Sequence, residues 1–442
     1  MQPAARLSAA IELLFDIEEK MAAKAAPADV LVTKFFRARR YAGSKDKRAI
    51  SGYVYGILRA RALYHWALKE LGAKPTVRNM MIVHLARHES DSLKHFGEEN
   101  PFAPTRLHEE EEDFLRKLKR IDWHAAPVEA AYNLPDWAVP GLKRRFSKGL
   151  ATAAASLNET APLDIRVNSL KANGKSFDEV LKNDAELFEK NEFSCLGYRA
   201  KGPINLGAHP AFSDGLIEVQ DEAAQVASSL VDAFPGAQIV DLCAGAGGKT
   251  LAMAASMENR GQIHAFDISP KRLSSLKKRM QRAGARTIQV HQIAAEGAGR
   301  EIAFGPMEGK MDRVVVDAPC TGTGTWRRSP DQRWRFDEAS LKAQTALQGR
   351  LLAEGAKIVK QGGRLVYMTC SVLPEENEDV VTAFLASQPK GAWQLMDYKA
   401  IWAETLPGKP AETLALTPEC LQLAPHAHDT DGFFLAVLER VA

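Results

Sequence analysis

The sequence predicts an α/β protein in which a doubly wound parallel sheet fills the C-terminal half, an all-helical domain precedes it and a small α/β linker domain lies between. Three observations carry that expectation. Strand and helix patterns alternate from about residue 216 onward, as they do where crossover helices connect parallel strands. Apolar residues recur at steps of three and four from residue 7 to about 125, the spacing of one helical face. Between these regions the signal is mixed and broken by prolines.

At 442 residues the chain exceeds one ordinary hydrophobic core, so two or three domains are expected. In residues 1–125, Leu7, Ile11, Leu14, Ile17 and Met21 give a first amphipathic helix, and Ile50, Val54, Ile57, Leu58 and Leu68 repeat the pattern after a turn at "YAGSKD". The acidic run "EEEED" at 109–113 and the stretch "NPFAPT" read as solvated helix starts and loops. In residues 126–215, Pro127, Pro135 and Pro140 punctuate a short basic segment, followed by a strand in "PLDIRVNSL" and a short helix in "SFDEVLKND". Residues 216–442 hold candidate strands at "QIVDLC", "QIHAFD", "TIQVHQ", "DRVVVD", "GRLVYMT" and "GFFLAVLE". A helix with Leu347, Leu351 and Ile358 on one face is expected to end at Gly362 and Gly363.

Composition excludes several classes. No apolar run has the length a membrane span needs, and Glu12 and Asp16 interrupt the first apolar stretch, against a secretory leader; a cytoplasmic protein is expected. The five cysteines are scattered without a Cys-x-x-Cys pair, so neither a disulfide framework nor a zinc site is signalled. Net charge is only +3, but basic residues cluster at Arg37–Arg48, at Lys143–Lys148 and at Arg327–Arg335. A solvated face accounts for any one cluster, although the third follows directly on an unusual cysteine loop.

Two loops carry candidate chemistry. The strand "QIVDLC" leads into "AGAGGKT" at 244–250 and then into a helix, so glycines allow close backbone approach and the helix start offers unpaired N–H groups. A P-loop needs glycine where Cys243 stands, so a nucleoside triphosphate is disfavoured. Asp267 ends the next strand about twenty residues on, placed to take ribose hydroxyls, which suits dinucleotides and S-adenosylmethionine alike. The second loop, "DAPCTGTG" at 317–324, follows a strand, and "YMTCSV" brings Cys370 to the end of the next one. Parallel neighbours deliver such strand ends to one crevice, so Asp317, Cys320 and Cys370 are expected to face one pocket. A thiolate adding to C6 of a pyrimidine makes C5 nucleophilic toward a sulfonium methyl group, a reaction that needs a thiol, a carboxyl group and a helper for release.

With these residues in view, "DLCAGAGGKT", "DAPCTGTGTWRRSPDQRW", "YMTCSVLPEENEDVV", "VQDEAAQ" and "HDTDGFF" resemble the successive motifs of the Sun/Nop family of RNA cytosine-5 methyltransferases, in particular the bacterial branch acting on small-subunit ribosomal RNA. The resemblance covers roughly residues 160–442, and "AGSKDKRAISGYVYGILR" resembles the NusB-like RNA-binding domain attached to that branch. It implies a class I, Rossmann-like methyltransferase domain using S-adenosylmethionine, working as a monomer on RNA. It implies that Cys370 attacks C6, that Cys320 helps release product, that Asp317 holds N3 and the exocyclic amine, and that Lys249 lies near Asp317 and the base. Backbone of Cys243, Ala244, Gly245, Ala246, Gly247, Gly248 and Lys249 would wrap the methionine end of the donor, with Asp267 on the ribose and Asp317 close by.

Ile293 stands where the family often has an acid near the adenine, and Gly245-Ala246 replaces a commoner Ala-Pro. Arg327, Arg328 and Arg335, interleaved with Trp326 and Trp334, suit paired phosphates and stacked bases of an RNA strand, against a plainer reading as packed tryptophans with surface arginines. Arg166 and Asn168 match a family motif in the small α/β segment that implies further RNA contact. The competing readings are a base amino-group methyltransferase, for which "DAPC" lacks the usual second proline and aromatic, and a non-catalytic RNA-binding ribosome-assembly factor.

Overall fold

A computed structural model describes residues 1–442, the side chains of Asn183, Ala298 and Glu301 apart. The chain divides into two compact units. One comprises Met1–Thr160 with Thr325–Ser340, the other Ala161–Gly324 with Leu341–Ala442.

The first unit is helical, as the periodicity predicts. Leu7, Leu14, Ile17, Val54, Ile57 and Leu68 are all buried in one core. Two departures from the expected boundaries have one cause. Residues 126–160 group with the helices, and so does the basic segment after the cysteine loop, because its side chains find their partners there. Arg333 is fully buried and donates to the carbonyls of Asn133 and Leu157 and to Asn158 Oδ1 at 2.8, 3.1 and 3.1 Å. Trp326 is also fully buried, with the Arg333 guanidinium 4.6 Å from its ring centroid. Asp331 accepts the N–H of Ala28 at the start of the helix Ala28–Ala38.

The second unit contains two sheets. The small one, antiparallel, has the order β2-β3-β1-β4, from β1 (Asp164–Val167), β2 (Phe188–Lys190), β3 (Gly197–Ala200) and β4 (Ile217–Val219). It therefore runs past the expected boundary at 215. The large sheet is built from β5 (Gln238–Asp241), β6 (Gln262–Asp267), β7 (Ile288–Gln292), β8 (Met311–Asp317), β9 (Val359–Thr369), β10 (Trp393–Met396), β11 (Leu421–Leu423) and β12 (Phe433–Arg440). Its order is β10-β12-β9-β8-β5-β6-β7, with β11 against β12.

β9, β8, β5, β6 and β7 are mutually parallel, as expected, and their residues alternate between two cores: Ile239, Val315 and Val366 on one face, Val240, Val314 and Leu365 on the other. Burial on both faces explains the continuous Val314–Val316 run. The parallel expectation fails at one edge. The last strand, β12, enters antiparallel between β9 and β10. The glycine pair also acts differently from expectation: the helix Glu338–Ile358 ends earlier, and Gly362 and Gly363 lie inside β9 where its pairing with β8 shifts register. A Cβ on Gly363 would stand 2.9 Å from the carbonyl oxygens of Lys360 and Met311, so the irregularity requires glycine.

Strand order reverses at β5, with β6 and β7 on one side and β8 and β9 on the other. That switch point is where an open α/β sheet leaves a crevice beyond its carboxyl ends.

Replacing Arg333 by methionine removes the donor to two buried carbonyls and to the half-buried Asn158 Oδ1, and is expected to lower unfolding free energy by roughly 2–4 kcal/mol. Urea unfolding followed by tryptophan fluorescence checks this.

Candidate active site

The glycine loop leaves β5 at Asp241 and enters the helix Gly248–Ser256. Gly247 adopts φ +86°, and a Cβ there would stand 2.1 Å from Leu276 Cδ1, so both conformation and space demand glycine. Asp267, at the end of β6, is buried; its Oδ2 accepts the N–H of Gly245 at 2.9 Å and its Oδ1 that of Ser269 at 2.7 Å. Each oxygen keeps acceptor capacity, so this carboxylate can still take two ribose hydroxyls while the loop holds it in place. The residues thus fit a nucleoside-bearing donor: loop backbone from Cys243 to Lys249 for its amino-acid end and Asp267 for its ribose. Ile293, in the position of the missing acid, is buried in the core beside Phe266 and Phe304. Burial, followed by the charges of Asp241, Asp317 and Asp267, pushes the Cys243 thiol well above its ordinary value, which keeps it neutral.

Next to this loop the ends of β8 and β9 meet. They pair in parallel with Asp317 opposite Met368, and the Ala318 N–H bonds to the Met368 carbonyl at 2.9 Å. Cys320 and Cys370, both half-buried, then lie with their sulfurs 3.4 Å apart. Lys249 Nζ donates to Asp317 Oδ2 at 2.5 Å and stands 4.9 Å from the centroid of the Phe433 ring. Burial pulls the Lys249 ammonium down, but the charge of Asp317 and its hydrogen bond outweigh this and hold it above its ordinary value, with Cys370 adding to the effect. Asp317, Cys320 and Cys370 thus lie at the carboxyl ends of β8 and β9, with Lys249 paired to Asp317.

A second layer holds these loops, and the sequence reading missed it. Glu376 accepts the Thr321 N–H at 2.8 Å, the Thr321 hydroxyl at 2.5 Å and Gln348 Nε2 at 3.1 Å. Thr323 and Ser371 share a hydroxyl contact at 3.0 Å, and Asn377 donates to the Ser371 carbonyl at 3.0 Å while accepting the Thr369 hydroxyl at 2.6 Å. Gly324 and Gly432 touch backbone to backbone, where a Cβ on Gly324 would lie 2.1 Å from the Gly432 carbonyl. The signal was present in "LPEENED", whose two consecutive polar residues Glu376 and Asn377 are fully buried, but burial has no mark in the sequence.

Several residues expected to touch RNA are interior. Arg166 is buried and donates to Gln220 Oε1 at 2.7 Å, and burial pulls its guanidinium down to about 10. Asn168 is buried and donates to the carbonyls of Gly215 and Ala283. Arg166 thus ties β1 to the residue that follows β4, and Asn168 ties the same segment to the end of the helix Pro270–Ala283 that connects β6 and β7. The "VQDEAAQ" motif also makes internal bonds: Glu222 accepts the N–H groups of Phe193 and Ser194, and Gln225 donates to the carbonyls of Ile165 and Gln220. Trp326 cannot stack on a base, being fully enclosed, and Arg327 is buried as well; Trp334 and Arg335 are half-buried and Arg328 is exposed.

A Rossmann-like sheet, a glycine loop with an acid on the following strand and a crevice beyond its carboxyl ends define a protein that binds a nucleoside-bearing cofactor, of the class to which S-adenosylmethionine-dependent methyltransferases belong. Comparison with known proteins agrees. Residues 229–439 match the family model for 16S rRNA methyltransferase RsmB/F. The chain is 30% identical, over 425 residues, to the probable ribosomal RNA small subunit methyltransferase B of Synechocystis, covering 89% of this chain and 91% of that one. Among solved structures, PH0851 matches at 28% identity with a TM-score of 0.77 over 100% of this chain and 99% of its own. A methyltransferase homologue from Pyrococcus horikoshii matches at 26% identity with a TM-score of 0.59, over 71% and 97%. The protein belongs to the RsmB/F family of S-adenosylmethionine-dependent 16S rRNA methyltransferases.

Gly247→Ala is expected to weaken S-adenosylmethionine binding by at least about tenfold, through strain at positive φ and collision with Leu276; isothermal titration calorimetry reads this. A pH effect follows from Glu222, whose carboxyl is pushed up from 4.5 to about 7, first by burial, despite two backbone N–H bonds. An acid with a raised folded value contributes stability below its unfolded value and loses it as pH climbs to the folded one. Unfolding midpoints should therefore fall between about pH 4.5 and 7, and Glu222→Gln should flatten that slope.

Proposed function

We propose that this enzyme methylates C5 of a cytosine in 16S ribosomal RNA through a covalent bond between Cys370 and C6. The observation that carries the reading is the two sulfurs 3.4 Å apart beside the Lys249–Asp317 pair, next to the glycine loop. An amino-group methyltransferase has no use for such a thiol pair.

The Cys370 thiolate adds to C6, and the ring electrons move toward N3 and C5. Asp317 accepts the exocyclic amine and steadies the N3 edge, while Lys249 fixes Asp317 and keeps positive charge beside the ring. S-adenosylmethionine, held by the Cys243–Lys249 loop and Asp267, would supply the electrophilic sulfonium methyl group for C5 and leave as the neutral thioether. Water then removes the C5 proton, the C5–C6 double bond re-forms and the Cys370 thiolate is expelled, with Cys320 assisting its departure. Exposed Arg328 and half-buried Arg335 would offer positive charge to RNA phosphates. The protein acts as a monomer in the cytoplasm, where its ribosomal RNA substrate is found.

Incubation with labelled S-adenosylmethionine and unmethylated ribosomal RNA is expected to yield 5-methylcytidine by nucleoside mass spectrometry, and Cys370→Ala to abolish it. Methyl found on the exocyclic nitrogen, or undiminished product from Cys370→Ala, would overturn the reading. Cys320→Ala should accumulate a protein–RNA adduct that survives a denaturing gel.

A further inference from the structure

The two thiols are equivalent in distance but not in surroundings. Cys320 is clamped from both sides: Gln348 Nε2 donates to the Pro319 carbonyl at 2.9 Å and to Glu376 at 3.1 Å, while Glu376 takes both the N–H and the hydroxyl of Thr321. Glu376 itself is fully buried. The hydrogen bonds described at its carboxylate all come from donors, the arrangement that suits the ionised form. Burial pushes the Glu376 carboxyl up, while the hydrogen bonds from Ser371, Thr321 and Gln348 oppose that shift and favour its ionised form, whose charge acts on Cys320. The Lys249 ammonium, paired with Asp317, is the positive charge that Cys370 acts on electrostatically.

We propose that Glu376 is a positioning residue that assigns the roles of the two thiols, anchoring the Cys320 loop through Thr321 and holding Cys320 as a neutral S–H so that the thiolate forms on Cys370. This rests on the reading of Cys370 as nucleophile. It also gives Cys320 a defined task, because a neutral S–H at 3.4 Å can donate a hydrogen bond to the thiolate leaving C6.

The groups facing Cys320 are consistent with that assignment. Its thiol is pushed well above the ordinary value, first by the hydrogen bond with Cys370, then by burial, by the charge of Cys370 and by that of Glu376, against a backbone N–H from Gly322. Tyr367, whose hydroxyl donates to the Glu376 carbonyl at 2.5 Å, is also pushed well up, first by burial, and stays neutral. The positive charge of Lys249 lies against Asp317.

The test is alkylation of the folded protein with iodoacetamide across a pH series, read at each cysteine by peptide mass spectrometry. In the wild-type protein Cys320 is expected to react only at higher pH than Cys370; reaction of Cys320 at the same or lower pH would overturn the proposal without any variant. In Glu376→Gln the pH of half-reaction at Cys320 should fall by about one unit or more, a tenfold change in its ionisation, while buried Cys420 stays protected. Thr321→Val removes the hydroxyl bond but keeps the charge, and should leave that pH high. Glu376→Gln should also lower kcat for methyl transfer by about tenfold or more with KM for S-adenosylmethionine unchanged. An unmoved Cys320 profile in folded Glu376→Gln would refute the charge assignment. Methyl transfer surviving in Cys370→Ala would instead refute the nucleophile, and the alkylation order would still stand.

Discussion

Parallel pairing of β8 with β9 is the constraint on which this active site depends. Because the two strands run in the same direction as immediate neighbours, their carboxyl ends arrive at one edge, and Asp317, Cys320 and Cys370 arrive with them. A slip of one residue would turn every side chain to the other face of the sheet. The register is fixed by apolar alternation on both faces and by the glycine-bearing irregularity near Gly363, which absorbs the mismatch before the catalytic end is reached.

Beyond the strand ends the chain has no ladder to hold it, and buried side chains take over. Thr321, Thr323, Ser371, Glu376, Asn377 and Gln422 bond one another and the loop backbone away from water. In a low dielectric such a network is strong when its partners are met, and it holds the loops that carry the two sulfurs. Close contact of Gly324 with Gly432 adds a steric limit that no side chain could share. Groups held this way need little reorganisation when a substrate binds, which is where most catalytic advantage of a preorganised site arises.

The residues just beyond that loop serve a different core. Segment 325–340 lies within the sequence of the methyltransferase half yet packs among the helices of the first unit, with Trp326 and Arg333 wholly enclosed there. Basic and aromatic residues in alternation thus have an architectural use here. The same economy holds for Arg166 and Asn168, whose polar atoms are taken up inside the protein by Gln220 and by the carbonyls of Gly215 and Ala283.

The sequence by itself determined the helical front, the five parallel strands, the glycine loop with Asp267 and the meeting of two cysteines with an acid. Each of these is encoded locally, by the period of apolar residues, by glycine where the backbone needs it and by residue type at a strand end. What tertiary structure alone decided is which polar residues lie inside. Arg333, Glu376 and Asn377 read as surface residues until distant segments supply their partners, and Trp326 reads as a stacking platform until helices from the first 160 residues enclose it. The antiparallel entry of β12 and the service of Gly362 and Gly363 within β9 were hidden for the same reason: strand direction and register are settled between segments far apart in the chain, by hydrogen bonds that leave no mark on the order of residues.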